Sequence, residues 1–229
     1  MIAVIGDIHG CFFTLKKLYI ELKEKYPGVP VYSVGDLVDR GNFSFEVVDF
    51  ILSKNISYTP GNHDYMFYYF FYHPESALAK AWLYNGSGKT LASYNDKMHV
   101  LHEHLKELIN APLYFNTDDC FISHAGIAEI YKKDLPDPLL EFPLLLDEFV
   151  KREVESETGI LWNRQRLLNI GKLQVVGHTR KLEIEHNSEN NSLYIDTAAI
   201  GNNKLSAVLI DNNKVKDILS VYTFAEDTL

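Results

Sequence analysis

Cysteine is scarce in this chain: Cys11 and Cys120 are the only two among 229 residues. No disulfide framework can be read from one possible pair, and a reducing compartment, the cytoplasm, is the simpler expectation. Basic charge is also in deficit. Lys and Arg total 22 against 31 Asp and Glu, a formal net charge of -9, which argues against a general nucleic-acid binder with its basic face. No apolar run reaches the roughly 20 residues that span a bilayer, and the first strand-like run starts at Ile2, which leaves no room for a signal peptide before it. We therefore expect no membrane contact. Internal repeats, low-complexity linkers and a second core are missing as well, so the expectation is one domain over residues 1–229. The apolar fraction, 46%, and the charged fraction, 23%, are those of an ordinary globular protein.

What the chain does contain is one pattern at several strand ends. Gly35-Asp36-Leu37-Val38-Asp39-Arg40-Gly41 follows the short β-branched run Val31 to Val34. A strand that stops on Gly-Asp places the carboxylate of Asp36 at the carboxyl end of a sheet, where open α/β folds bind ligands. Gly6-Asp7-Ile8-His9-Gly10 follows Ile2 to Ile5, and Gly61-Asn62-His63-Asp64 follows Ile56 to Thr59. His124-Ala125-Gly126 and Gly177-His178-Thr179 end two further strand-like runs, Cys120 to Ser123 and Leu173 to Val176. Any one of these histidines alone reads as an ordinary hydrogen-bonded structural residue. Together, Asp7, His9, Asp36, Asn62, His124 and His178 all lie within one or two residues of a glycine at an expected strand end. Oxygen and nitrogen donors without thiolate suit manganese, iron or zinc better than calcium or copper(I).

Residues 2 to 60 read as β-α-β-α-β, with helices over Phe12 to Lys25 and Phe45 to Ser53, which implies a parallel sheet with right-handed crossovers. A helical insertion is expected over about 65–111, in segments His63 to Tyr72, Ser76 to Tyr84 and Lys97 to Ile109. Its aromatic run, Tyr65 to Tyr72, reads as a helix packed on all sides. His99, His102 and His104 match no zinc spacing and read as solvent-facing. Later strands are expected at Leu113 to Asn116, Cys120 to Ser123, Leu173 to Val176 and Leu193 to Ile195, with a short helix around Leu145 to Val154. A hairpin of Leu205 to Ile210 and Val215 to Leu219, turning on Asn212-Asn213, closes the sheet. Cys11 reads as a small residue opening a helix, not as a nucleophile.

The segments GDIHGC at 6–11, GDLVDRG at 35–41, GNHD at 61–64, WLYNG at 82–86, HAG at 124–126, LWNRQR at 161–166, GHT at 177–179 and YIDT at 194–197 resemble, in this order, the calcineurin-like metallophosphoesterases. Within these the chain is most similar to the phosphoprotein phosphatases of the phage lambda type. The resemblance implies an α/β fold, a four-layer αββα sandwich of two mixed sheets, holding two divalent metal ions, with manganese the first choice and iron or zinc the alternatives. It implies that Asp7 and His9 bind the first ion, that Asp36 bridges both, and that Asn62, His124 and His178 complete the second, with Asn62 also meeting substrate. Two such ions acidify a shared water and clamp an in-line phosphoryl displacement. By the same resemblance Arg40 and Arg164 hold the phosphate through planar forks. His63 would protonate the departing oxygen, and Asp39 would orient it. Asp64 would support the site through hydrogen bonds, and Ala198 stands where relatives commonly carry glycine.

The activity so implied is metal-dependent hydrolysis of phosphoserine and phosphothreonine, with phosphotyrosine as an extension, in a phosphorylated protein or peptide and without a phosphoenzyme. A first alternative is a symmetrical diadenosine tetraphosphatase or another nucleotide polyphosphate hydrolase. Symmetrical tetraphosphatases share GNHD and HAG but typically lack an aspartate at the position of Asp39, so Asp39 and the WNR segment favour the protein phosphatase branch. A second alternative, a non-catalytic metal-binding scaffold, would predict a missing ligand, and none is missing. Arg166, Arg180 and Asp196 lie near the motifs without an assigned role.

Overall fold

Side-chain alternation along the first strand already sets the layers of the molecule. The computed structural model describes residues 1–229, and its elements in chain order are β1 (Ile2–Ile5), α1 (Phe12–Lys25), β2 (Val31–Ser33), α2 (Ser44–Ser53), β3 (Ser57–Tyr58), α3 (Asn62–Tyr72), α4 (Ala77–Trp82), α5 (Ser87–Tyr94), α6 (Met98–Asn110), β4 (Tyr114–Asn116), β5 (Phe121–Ser123), α7 (Pro143–Arg152), β6 (Gln174–Val176), β7 (Glu185–Asn187), β8 (Ser192–Tyr194), β9 (Lys204–Asp211), β10 (Lys214–Tyr222) and α8 (Ala225–Thr228). Ile2 and Val4 of β1 join the layer between two sheets, whereas Ala3 and Ile5 face the helices. Strand β9 repeats this, with Val208 and Ile210 turned one way and Leu205, Ala207 and Leu209 the other. That is the period of two expected of a pleated strand buried on both faces.

The first sheet has the order β10-β9-β1-β2-β3, with β1, β2 and β3 parallel and β9 and β10 antiparallel. The second has the order β4-β5-β6-β8-β7, with β5, β6 and β8 parallel and the outer strands antiparallel. Ile122, Val175 and Leu193 of the second sheet meet Ile2, Val4 and Val208 of the first. Leu15, Leu18 and Leu22 of α1, Val47 and Ile51 of α2, and Leu101, Leu105 and Leu108 of α6 cover the outer side of the first sheet. Phe121 of β5 packs with Leu146, Phe149 and Val150 of α7 on the outer side of the second. These are the two mixed sheets with flanking helices that the motif resemblance implies. No helix is long and apolar enough to cross a membrane.

Helix α1 forms where apolar residues recur at helical spacing and stops at Tyr26, ahead of Pro27 and of Gly28 at φ +81. Its first turn has no cap of its own. Asp227 of α8 supplies one, accepting from the N–H groups of Phe13 (3.0 Å) and Thr14 (2.9 Å).

Several elements differ from the sequence expectation. Strand β7 was not foreseen, because Glu185-His186-Asn187 is a polar edge strand without alternation. Helix α5 was also missed: its sequence, SGKTLASY, carries an internal glycine, and its start relies on Gly86 at φ +97. Helix α3 is not packed on all sides; Tyr65, Met66 and Phe67 are buried, but the helix then runs outward and Tyr72 is 43% exposed. His104 is not solvent-facing. It falls on the stripe of Leu101, Leu105 and Leu108, is buried, stacks on Phe45 at 5.4 Å and places Nδ1 2.9 Å from the Tyr94 hydroxyl.

Ala198 adopts φ 59, ψ 45, the left-handed region that costs an L-residue about 1–2 kcal/mol. Glycine removes that cost and gives back about 0.4–1 kcal/mol through its freer unfolded chain. Ala198→Gly is therefore expected to stabilise the protein by roughly 0.5–1 kcal/mol. Urea unfolding checks this, and a lower midpoint at unchanged m-value contradicts it.

Candidate metal and phosphate site

The carboxyl ends of β1, β2, β5, β6 and β8 and the segment after β3 run directly into the motifs named above. At their meeting point lies the carboxylate of Asp36. Its Oδ1 accepts the backbone N–H of His63 at 3.0 Å and lies 3.5 Å from Nε2 of His124, and its Oδ2 lies 3.4 Å from Nε2 of His9. Two glycines make this approach possible. A Cβ on Gly61 would fall on the Asp36 carboxylate, and one on Gly177 would fall on that of Asp7.

The loops are held in conformations that L-residues rarely adopt. His9 (φ 47), Asp36 (φ 49), Asp39 (φ 75), Arg40 (φ 71) and His178 (φ 62) all have positive φ, a cost of order 1–3 kcal/mol each. Neighbouring hydrogen bonds maintain them: His9 N–H donates to Asp36 O at 2.7 Å, and Gly41 N–H to Asp39 O at 2.8 Å. Asp64, at the third position of α3, accepts from Gly61 N–H at 2.8 Å and from the N–H groups of Leu37 (3.0 Å) and Val38 (3.3 Å). It thereby caps α3 and fastens that helix to the Asp36 loop.

Hydrogen bonds also set the imidazole tautomers. Nδ1 of His9 lies 2.9 Å from Val38 O, and Nδ1 of His124 lies 2.8 Å from Val34 O. A carbonyl only accepts, so the proton sits on Nδ1 and the Nε2 lone pair faces Asp36. His178 has the opposite arrangement, with Nε2 3.1 Å from Trp162 O and Nδ1 free. Burial pushes all three imidazoles toward the neutral form, His178 down to about 3. Burial opposes ionisation of Asp36 too, but the positive charge its imidazole neighbours carry when protonated, His124 foremost, outweighs it, so that a proton entering the cluster goes to a ring and the Asp36 carboxyl stays well below the usual range. Asp7 is the reverse case. Its burial, beside the charges of Asp196 and Asp36, drives its carboxyl well above the ordinary value, and burial pushes Asp196 up to about 6.

Two groups of donor atoms lie within 4.8 Å of one another and suit a cation: His9, Asp36 and His63, and Asp36, His124 and His178. Asp36 is common to both. Asn62 stands beside the second, its side-chain oxygen 3.1 Å from His124 Nε2. Asp7 falls outside both triples. Its carboxylate accepts the backbone N–H of His178 at 3.0 and 3.2 Å, yet it lines the same cavity. Neutral imidazoles and clustered carboxylates, without thiolate, make a donor set for divalent ions.

Beside these donors, His63 Nδ1 is 2.6 Å from Asp39 Oδ2. Asp39 is fully buried and accepts from Trp82 Nε1 at 2.8 Å and Thr90 Oγ1 at 2.7 Å. Its carboxylate is thus fixed by two side-chain donors, with the imidazole as its third neighbour. A cavity of about 270 Å³ opens over the site, lined by Asp7, His9, Asp36, Arg40, Asn62, His63, Arg164, His178, Arg180 and Asp196, with no hydrophobic residue among them. Arg40 reaches His9 Nε2 at 2.8 Å, and Arg164 donates to His178 O at 3.2 Å.

A family model described as calcineurin-like phosphoesterase matches residues 1–182. The chain belongs to that family. Members of the family normally bind two divalent metals, and the two donor groups around Asp36 fit such a centre. Among curated relatives, the asymmetrical bis(5'-nucleosyl)-tetraphosphatase PrpE of Anoxybacillus flavithermus is 29% identical over 90% of this chain and 88% of its own. The protein of the same name from Halalkalibacterium halodurans is 32% identical over 55% of this chain and 57% of its own. The fold is shared with a cold-active protein-tyrosine phosphatase of a psychrophile Shewanella sp. (TM-score 0.63, 16% identity, 93% of this chain and 76% of that one). It is also shared with a metallophosphoesterase from Sphaerobacter thermophilus (TM-score 0.54, 18% identity, 99% of this chain and 90% of that one). This metallophosphoesterase is therefore a phosphoester hydrolase by family; its curated relatives are named as nucleotide polyphosphate hydrolases, and one of the proteins that share its fold is named as a protein-tyrosine phosphatase.

Arg180 and Asp196 line the cavity although the motif reading left them without a role; their positions directly after GHT and inside YIDT were the available signal. Arg166, equally close in sequence, pairs instead with Glu129 and Glu189 on the surface.

Divalent metal is expected to stabilise the fold, by about 2.7 kcal/mol at a hundredfold excess over Kd. The metal-free fold takes up protons above the usual carboxylate range, because burial raises the Asp7 carboxyl and pushes Asp196 up to about 6. A cation must then displace those protons, so the gain should shrink between pH 7.5 and pH 5. His178, held near 3, does not compete in that window. Thermal melts with manganese and with chelator check this, and an equal manganese shift at both pH values contradicts it.

Proposed function

We propose that this metallophosphoesterase hydrolyses nucleotide polyphosphates of the dinucleoside tetraphosphate class, cutting a phosphoanhydride bond by direct attack of water on phosphorus. The observation that carries this reading is the lining of the cavity: three guanidinium groups and no hydrophobic side chain. Several adjacent phosphates match such a lining, whereas a phosphoserine peptide presents one phosphate and flanking side chains with nothing apolar there to meet them. Similarity over most of both chains to a protein named as an asymmetrical tetraphosphatase supports the same reading. The aspartate at position 39, which counts against a symmetrical tetraphosphatase, does not count against an asymmetrical one.

In this reading Asp7, His9, Asp36, Asn62, His124 and His178 would hold two divalent ions, with Asp36 contributing to both. When bound, the ions supply an acidified water and charge neutralisation for in-line displacement. Arg40 and Arg164 hold the oxygens of the phosphorus under attack, and their fixed planar forks stabilise the charge that spreads over them. His63 delivers a proton to the departing oxygen from Nε2, while Asp39 holds Nδ1 at 2.6 Å and stabilises the charged imidazole. Trp82 and Thr90 keep Asp39 in place. Asymmetrical cleavage of a dinucleoside tetraphosphate would release a nucleoside monophosphate and a nucleoside triphosphate.

The protein phosphatase reading survives on one specific observation, the buried Asp39–His63 pair, which suits a strongly basic leaving group such as a serine alkoxide. Kinetics with manganese-loaded protein separates the two. The specificity constant kcat/KM is expected to be larger for diadenosine tetraphosphate than for a phosphoserine peptide by at least about tenfold, the factor that about 1.4 kcal/mol of differential binding gives. A peptide preference of that size reverses the assignment. His63→Asn should cost the peptide reaction the general-acid factor of about 10²–10⁴ and the polyphosphate reaction less, since a departing polyphosphate needs less protonation. Equal losses on both substrates contradict the role given to His63.

A further inference from the structure

Five arginines occur in the chain, and they divide by their partners. Arg152 pairs with Glu153 at 2.8 Å, and Arg166 with Glu129 at 3.3 Å and Glu189 at 3.4 Å. Arg40, Arg164 and Arg180 form no ion pair, and all three line the one cavity. Arg40 and Arg164 at least make hydrogen bonds, to His9 and to the His178 carbonyl. The guanidinium of Arg180 makes none. It is exposed at the cavity mouth, and its charge and that of Arg40 act against one another there.

The backbone that offers Arg180 is tied down on both sides. Gly177 N–H donates to His124 O at 2.9 Å, and Lys181 N–H to Asp196 O at 2.9 Å. Lys181 spends its own charge elsewhere, 2.9 Å from Glu185 and over the ring of Tyr194 at 5.2 Å. The neighbouring lysine is thus no substitute for Arg180. The Arg180 fork stands on a loop held by these bonds, has no internal partner, and shares the cavity with two other guanidinium groups, so no ion pair has to be broken when an anion arrives.

We propose that Arg180 binds the phosphate adjacent to the one under attack, so that it selects phosphate chains over isolated phosphate esters. This rests on the polyphosphate reading above and names the residue that gives the site that preference. A phosphomonoester has one phosphate, which Arg40 and Arg164 suffice to hold. A chain presents a second anionic phosphate within reach of the cavity mouth, where Arg180 is the remaining unpaired cation.

The test compares wild type, Arg180→Ala and Arg180→Lys, all manganese-loaded, on diadenosine tetraphosphate and on p-nitrophenyl phosphate. Inorganic tripolyphosphate and orthophosphate serve as inhibitors of the latter reaction, with metal kept in excess over phosphate. In Arg180→Ala the ratio of kcat/KM for the tetraphosphate to that for the monoester should fall about tenfold or more, mainly through KM. The inhibition constant of tripolyphosphate should rise by a similar factor relative to that of orthophosphate, and Arg180→Lys should recover part of both. A ratio and relative inhibition within about threefold of wild type overturn the inference while leaving tetraphosphate hydrolysis intact as a reading. Wild type that ignores diadenosine tetraphosphate yet loses tripolyphosphate inhibition selectively on Arg180→Ala overturns the substrate reading and supports the role of Arg180.

Discussion

A carboxylate kept ionised inside the protein is the constraint on which the rest of this structure depends. Asp36 is 2% exposed, and an unpaired buried charge is among the most costly groups a fold can carry. Here four imidazoles and a backbone N–H surround it. Gly61 gives it room, and Asp64 ties the helix after Gly61 to the loop that bears it. The positive φ values at His9, Asp36, Asp39, Arg40 and His178 are the local cost of bringing the loops after β1, β2 and β6 to one point, and the layered core on either side of the sheets offsets it. Burial keeps the imidazoles neutral while the carboxylates crowd together, an arrangement that favours divalent cations over protons near neutral pH.

Much of this was legible because the same few residues were forced into the same places. Strands ending in Gly-Asp, Gly-Asn or Gly-His announced the end of the sheets where ligands bind, and the structure adds that Gly61 and Gly177 stand where backbone passes close to a carboxylate. Leu15, Leu18 and Leu22 announced α1 by periodicity. The failures have equally local causes. Strand β7 carries no alternation because both of its faces are wet. Helix α5 depends on a left-handed glycine and on Thr90 bonding to Asp39, tertiary facts that a propensity reading does not contain. His104 was set aside with His99 and His102 as an exposed cluster, although the stripe of Leu101, Leu105 and Leu108 already assigned it to the inner face. Ala198 was noticed only as a departure from a pattern; its left-handed backbone shows what glycine relieves at that position.

Substrate was the part least visible in the motifs, for a physical reason. In the proposed reading the metal donors and the first two arginines act on the phosphorus under attack and its non-bridging oxygens, which are alike in an ester and an anhydride. Selection between them falls to whatever surrounds that centre. In this chain the surroundings are polar throughout and rich in unpaired guanidinium, and Arg180, outside the core motifs, is the most distinctive of those groups. The protein phosphatase expectation came from the centre; the polyphosphate reading comes from the rim.

Metal stoichiometry tests most directly whether the Asp36 cluster holds two ions through one shared carboxylate. Titration of chelator-stripped protein with manganese, followed calorimetrically, should give two equivalents per chain in the wild type, and Asp36→Asn should weaken both. A wild type that takes up one equivalent or none, or an Asp36→Asn variant that loses one site and leaves the other at full affinity, would contradict a shared carboxylate.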